Sequence, residues 1–261
     1  MPGELEAPLG VCRLLEEDPD LALAVPPSRR PVAVAECLAA LVRVSSGRWS
    51  PVAARLGRGG IGLLVLDGLI IRRVGIDGRY AAELLGAGDL LRPWQGEEDD
   101  LSPLNAVIGW RVLEPARLAV LDARAAERLA RHPELTGALV GRALERSRQL
   151  AINMAIVHQP RVQTRVKMLL WLLAQRWGRV CPGGVLLPLR LSHAVLAELL
   201  AARRPTVSSA LAALARRQEV SFDGRCWRLA GPVPPELVAL NGASPPSLTA
   251  RPRSTAQPWP Q

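Results

Sequence analysis

Residues 187–229, LPLRLSHAVLAELLAARRPTVSSALAALARRQEVSFDGRCWRL, decide how this chain folds. Ser192 puts a hydroxyl where it can accept a free backbone N–H at a helix start. Val195, Leu196, Leu199 and Leu200 follow at helical spacing. Ala201-Ala202-Arg203 is a short turn without glycine. Arg204-Pro205 opens a second helix, because proline suits a first turn whose N–H groups have no intrahelical partner. The buried stripe of that helix is Val207, Ala210, Leu211 and Leu214. Ser208, Ser209, Ala212 and Ala213 keep its remaining surface small. Residues 220–222 and 226–229 alternate around Asp223-Gly224, as the two arms of a hairpin do. The stretch predicts a helix-turn-helix followed by a β-wing.

That arrangement has a chemistry. A helix fits the major groove of B-DNA, and the residues at its N-terminal end reach base edges. Arg203 and Arg204 stand at that end, and an arginine can pair two donors with O6 and N7 of guanine. Thr206, Ser208 and Ser209 have the reach for a base edge or a phosphate. The competing reading is a helical hairpin packed on another element, with solvated arginines. The cap, the turn, the small outer residues and the wing together weigh against it.

The segment RRPTVSSAL, residues 203–211, is similar to the recognition-helix pattern of the cyclic-AMP receptor protein/FNR family of bacterial regulators. Arg204, Thr206, Val207 and Leu211 fall on the pattern. Ser192 falls on the capping hydroxyl of the preceding helix, and His193 on a position that often meets a phosphate. Pro205 stands where a base-reading Glu is common, and Ser209 where a second Arg is common, so the implied operator differs from the familiar one. The resemblance covers about residues 10–230 and is stronger after 160. It implies an α+β chain in four parts: a cyclic-nucleotide-binding-like β-roll acting as sensor over 1–121, a short helix and a long dimerisation helix over 122–158, a C-terminal winged helix-turn-helix over 159–230, and a Pro/Ser/Ala-rich disordered tail over 231–261. The implied partners are double-stranded DNA, a second copy of the chain in a homodimer, and RNA polymerase. The implied location is the cytoplasm.

Charge supports the same division. The chain has 261 residues and a net charge of +9. Residues 1–154 hold 19 Arg against 20 acids, whereas residues 155–230 hold 12 Lys and Arg against Glu198, Glu219 and Asp223. The basic excess therefore lies on the segment that would track phosphates. Lys167 is the only lysine, which with the wealth of Ala, Gly and Pro points to a GC-rich genome. That bias accounts for Arg over Lys but not for one neutral half and one basic half.

Cys12, Cys37, Cys181 and Cys226 form no CxxC pair. Two N-terminal cysteines are too few for the four-thiolate iron–sulfur site of some relatives, so neither a cluster nor another metal is expected. The start, MPGELEAPLG, is acidic and has no apolar core, which argues against a signal peptide. The longest apolar run, residues 61–71, is broken by Asp67-Gly68 and too short to span a bilayer. His132, His158 and His193 stand apart from any nucleophile or acid motif, and P-loop, HExxH and GxSxG patterns are absent, so the chain is not read as an enzyme.

Upstream, short helices are expected near 11–17 and 20–25, and a segment ambiguous between helix and strand over 32–44. Gly57-Arg58-Gly59-Gly60 is a turn. Residues 61–66 and 69–74 read as a buried hairpin turned at Asp67-Gly68. After the Asp77-Gly78 turn, strands follow at 79–85, 107–113 and 117–121, the last two separated by Glu114-Pro115. Leu85-Gly86-Ala87-Gly88-Asp89-Leu90-Leu91 resembles the lead-in to the family's phosphate cassette. The Arg-Ser pair that should follow is missing, and Glu97-Glu98-Asp99-Asp100 would repel a phosphate. Cyclic nucleotide is therefore not expected as a cofactor. Gly88, Asp89 and Trp94 mark a candidate effector pocket, with Trp94 read either as a stacking surface or as a lid on the barrel mouth.

Asp122 caps a short helix. A long amphipathic helix runs from about Glu134 to His158, ending before Gln159-Pro160. Leu139, Arg146, Leu150, Met154 and Val157 are its candidate dimer residues, with an intrachain core role as the alternative. Residues 162–177 form the next helix, with Val166, Leu169, Leu170, Leu173 and Trp177 at core spacing. The main alternative function is a ligand-sensing or interaction module whose helix-turn-helix is vestigial and reads no sequence.

Overall fold

The computed structural model describes residues 10–51, 59–93, 107–235 and 237. The chain opens with β1 (Gly10–Arg13), three short helices, α1 (Leu14–Glu17), α2 (Pro19–Ala22) and α3 (Arg30–Glu36), and then β2 (Leu38–Val44) and β3 (Gly47–Trp49). β4 (Gly62–Ile76), β5 (Arg79–Gly86), β6 (Leu90–Leu91) and β7 (Val107–Leu121) complete the roll. Its antiparallel order is β1-β2-β7-β4-β5, with β3 paired to β7 and β6 to β4. The ambiguous segment resolves into a helix followed by a strand. Residues 11–13, expected as helix, pair with β2 instead. Trp94, the acidic run 97–100 and residues 57–58 of the turn at 57–60 lie outside the described residues.

The hairpin expected at Asp67-Gly68 does not form. β4 runs through both residues as one fifteen-residue strand. Its pairing with β7 slips between Val65 and Asp67, between Asp67 and Leu69, and again between Leu69 and Ile70. Pro115 lies in the same irregularity and interrupts β7 without ending it. It has no N–H to give to a ladder, so a bulge is where a strand tolerates it. Arg117 donates from its backbone N (3.1 Å) and its Nε (2.5 Å) to the Asp67 carboxylate, which closes the bulge. Gly68 has φ +91°, and a Cβ there would lie 2.5 Å from Pro115 O and Ala116 Cα. Asp77 and Gly78, with φ 51° and 72°, do form a two-residue hairpin turn.

α4 (Ala123–Ala130) starts on Asp122, whose carboxylate accepts from Ala125 N at 2.8 Å. α5 (Pro133–Val157) then crosses the roll. His132, at its start, is buried and bonded to Glu36 at 3.0 Å. The structure turns two of the expected dimer residues inward. Leu139 is buried against α1 and α2, and the Arg146 guanidinium is bonded to Glu83 and to Leu90 O. Arg142 is likewise tied to Asp18. Burial pushes the Asp18 carboxyl up, but Arg142 and the Leu21 N–H outweigh it and hold it below the usual range. Leu150 and Val157 are half-buried. The large apolar side chains that α5 leaves to solvent are Val140 (53% exposed), Leu144 (67%) and Met154 (64%).

After Gln159-Pro160 the chain forms α6 (Val162–Trp177), β8 (Arg179–Cys181), β9 (Gly184–Leu187), α7 (His193–Leu199), α8 (Arg204–Arg216), β10 (Val220–Phe222) and β11 (Trp227–Leu229). The second sheet has the order β10-β11-β9-β8, so the wing is larger than the hairpin expected. Leu237 is buried in the same core, so packing continues past residue 230. One apolar cluster joins the two halves. Leu69, Ile71, Ala82 and Leu84 of β4 and β5 share it with Ile152 and Ile156 of α5 and with the faces of α6, α7 and α8. Polar pairs rim the contact: Arg73 grips Glu198 through two bonds of 2.9 and 2.5 Å, with Arg111 at 3.4 Å. Cys12 and Cys37 are buried in the N-terminal cluster, where burial and then the nearby Glu36 push the Cys37 thiol up to about 11. No helix among the described residues is long and apolar enough to cross a membrane.

The bulge makes a checkable demand. Gly68→Ala should lower stability by about 2 kcal/mol or more, since it adds a clash to a conformation that side chains rarely adopt. Urea unfolding followed by circular dichroism measures it, and an unchanged midpoint would show that the bulge can relax.

Candidate nucleic-acid interface

Two helices position the basic face. α7 begins on Ser192, whose hydroxyl accepts from Val195 N at 3.3 Å, as the sequence predicts. Val195, Leu196, Leu199 and Leu200 are all buried. The helix ends without glycine: Ala201 takes φ +48°, and Ala202 N reaches back to Ala197 O at 2.9 Å. This is the left-handed closure that glycine usually supplies. α8 starts at Arg204 with Pro205 in its first turn. Val207, Ala210, Leu211 and Leu214 anchor it, the four positions the sequence marks. Anchoring on that side turns Arg203, Arg204, Thr206 and Ser209 to solvent, all of them exposed.

Two candidate residues have an internal partner. His193 Nδ1 lies 2.9 Å from Ser208 Oγ, so these side chains lock the start of α7 to the first turns of α8. His193 also packs near Trp227, with ring centroids 6.4 Å apart, and Trp227 stacks on Phe222 at 4.5 Å. The chain of contacts fixes the wing against the helix pair. Ser192 remains exposed.

The acids of this basic segment are all turned to other work. Glu198 faces the roll and its arginines. Glu219 is held by Lys167 at 2.7 Å. Asp223 accepts from Arg225 N (2.9 Å) and Cys226 N (2.7 Å) inside the wing turn, and those N–H groups hold its carboxyl below the usual range. Apart from Asp223, which stays exposed at the wing tip, the exposed charges of this segment are cationic. Beside Arg203 and Arg204 they include Arg190, just ahead of the α7 cap, and Arg225 and Arg228 on the wing, all exposed. The sequence reading leaves these three out. The charge excess of the segment was the signal that could have found them.

The cassette lead-in also differs from expectation. Gly88 takes φ +87° and its N donates to Val65 O at 2.8 Å. Asp89 is buried, accepts from Gly86 N at 2.8 Å, and faces the Arg176 guanidinium of α6. Burial pushes the Asp89 carboxyl above its usual range despite that neighbour. The phosphate-binding arrangement of arginine on the roll is thus reversed: the roll contributes the carboxylate and α6 the cation.

Residues 164–229 match the model of the Crp-like helix-turn-helix domain family. A search of curated proteins finds no match. Among solved structures, FixK2 from Bradyrhizobium japonicum is similar with a TM-score of 0.54 at 17% identity, over 79% of this chain and 98% of that one. A CooA variant from Carboxydothermus hydrogenoformans gives 0.54 at 17%, over 72% and 82%. A cyclic nucleotide-binding domain containing protein from Listeria monocytogenes gives 0.58 at 13%, over 73% and 88%. At these identities the solved structures speak for the fold.

The turn between α7 and α8 is open to test. Ala201→Gly should raise stability by about 0.5–1 kcal/mol, because glycine adopts the left-handed conformation without strain. The sign is opposite to that of the same change inside a helix, and a chemical denaturation curve reads it directly. Residues 164–229 thus form a Crp-like helix-turn-helix domain, and the roll, long helix and wing around it share the fold of these solved structures.

Proposed function

We propose that this chain is a sequence-specific DNA-binding transcription regulator that acts as a homodimer on a two-fold-symmetric operator. The observation that carries this reading is the first turn of α8. Its buried side is satisfied within the chain, and its outward side presents Arg203, Arg204, Thr206 and Ser209 with no carboxylate among them. Arginine at a recognition-helix N-terminus pairs with guanine in the major groove, and Ser192, Arg190 and Arg225 are placed to meet phosphates around it. His193 and Ser208 support these contacts by fixing the helix pair.

The dimer reading moves to a different stripe of α5. Val140, Leu144, Ala151 and Met154 recur at the spacing of a coiled-coil seam and stay exposed. A second copy covering them brings two recognition helices to successive turns of the duplex, about 34 Å apart. In this reading the roll is the sensor domain, α5 the dimerisation helix, and the C-terminal winged helix-turn-helix the reader. A ligand of the roll changes DNA affinity only as far as it prefers one pose of the reader over another. RNA polymerase is a further partner in the case that the chain acts as an activator. An interaction module with a vestigial reader is disfavoured by the same arginines.

Selection from random duplex DNA with the purified, ligand-free protein tests the reading. The expected result is a palindrome whose half-sites lie one turn apart. Arg204→Ala should cost about 1–3 kcal/mol at that site and relax one base position. A loss spread evenly over all sequences would reduce Arg204 to a phosphate contact. Leu144→Glu should give monomers by light scattering with the roll and reader still folded, and a dimer that survives it would place the seam elsewhere.

A further inference from the structure

A guanidinium already occupies the cassette. Arg176 Nη1 lies 3.0 and 2.8 Å from the two Asp89 carboxylate oxygens, and Nη2 donates to Ala87 O at 2.7 Å. The Trp177 ring flanks the same group at 4.5 Å. Gly86 N holds the carboxylate from behind, so the seat is built by the roll and filled by α6. A cavity of about 380 Å³ opens beside it, between the roll, α5 and α6. Its wall is largely apolar, from Leu66, Leu84, Leu150, Leu172 and Leu173. Its other guanidiniums are taken: Arg142 by Asp18 and Arg146 by Glu83. Among the described lining residues, six carboxylates stand against three guanidiniums, but Glu17 and Glu145 are held from outside the wall by Arg117 and Arg148, which leaves Asp20 outside these pairs. An anion entering this space finds every cation paired and Asp20 facing it, whereas a cation can take the Asp89 seat in exchange for Arg176.

We propose that this cavity binds a small organic cation, an amidinium or guanidinium on an apolar body, which replaces Arg176 on Asp89 and loosens α6 from the roll. The charged end takes the seat that the chain's own guanidinium shows to be complementary. The apolar body fills the leucine-lined space. Because α6 opens the reader domain, the exchange passes directly to the pose of the helix-turn-helix. The proposal rests on the sensor reading of the roll, but its test needs no DNA.

Benzamidine is the probe, titrated calorimetrically into the full-length protein, with benzoate and benzamide as isosteric anionic and neutral controls. The wild-type protein should bind benzamidine and neither control. Arg176→Ala should tighten benzamidine about tenfold, because the internal competitor no longer lowers the fraction of open seats. Arg176→Lys, which keeps a cation, should stay near wild type. Asp89→Asn, which keeps an acceptor for Gly86 N, should weaken binding at least about tenfold. Absence of benzamidine binding by Arg176→Ala at millimolar concentration overturns the proposal. So does equal binding of benzoate, or binding untouched by Asp89→Asn. If Asp89→Asn fails to fold by circular dichroism, the Arg176 pair and the benzoate control decide alone. Cation binding without a selected operator would overturn the regulator reading and leave this one standing, and the reverse outcome would overturn only this one.

Discussion

The packing of the β4–β5 face on α6 and α7 is the contact that sets the rest of the arrangement. Leu69, Ile71, Ala82 and Leu84 would be solvent-exposed on an isolated roll, and here they complete the core of the C-terminal helices. Apolar burial supplies the attraction, at roughly 25 cal/mol for each Å² removed from water. The polar pairs at its edge act differently. Glu198 with Arg73 is part-exposed, and a pair of that kind contributes only about 0–1 kcal/mol, while Asp89 is buried beneath the half-exposed Arg176 guanidinium, where desolvation offsets the attraction. Their effect is directional: they choose one pose among those an apolar patch would allow. A contact that is apolar at its centre and ionic at its rim can be held firmly and still be released by a competing charge.

The same division explains why the reader's surface is basic. A helix-turn-helix with Glu198, Glu219 and Asp223 loose on its face would repel phosphates. Each of these acids instead has a structural partner, the roll, Lys167 or the wing turn. Arg190, Arg203, Arg204, Arg225 and Arg228 stay exposed. The docking of the reader on the roll and the electrostatics of its outer face are therefore one feature: Glu198 is removed from the second by taking part in the first.

Most of the reader was legible because its signals are local. Ser192 caps, Pro205 starts a helix, and Val207, Ala210, Leu211 and Leu214 mark a face, all within one or two turns of chain. The roll was less legible because Asp-Gly serves both hairpins and bulges. At Asp77-Gly78 the flanking strands pair with each other. At Asp67-Gly68 both flanks pair with β7 on one edge, and with β6 before and β5 after on the other, and only these partners, with Pro115 opposite, distinguish the two. The long helix failed in another way. Its length and ends follow from composition, but it is apolar on more than one side. Leu139 and Leu144 look alike as letters, and which of them meets the roll depends on how α5 rotates against β5 and β6.

By itself, then, the sequence determined the elements whose stabilising groups lie close along the chain: the capped helices, the wing hairpin, the turn at Asp77-Gly78 and the basic bias of the C-terminal half. Tertiary structure decided what depends on residues far apart. It joined β4 across Gly68, turned Arg146 to Glu83, sent Leu139 inward, and seated Arg176 on Asp89, 87 positions away. The physical reason is one of range. Caps and periodicity act over a few residues, whereas a bulge, a helix face or a buried ion pair is fixed only when another segment arrives to complete it.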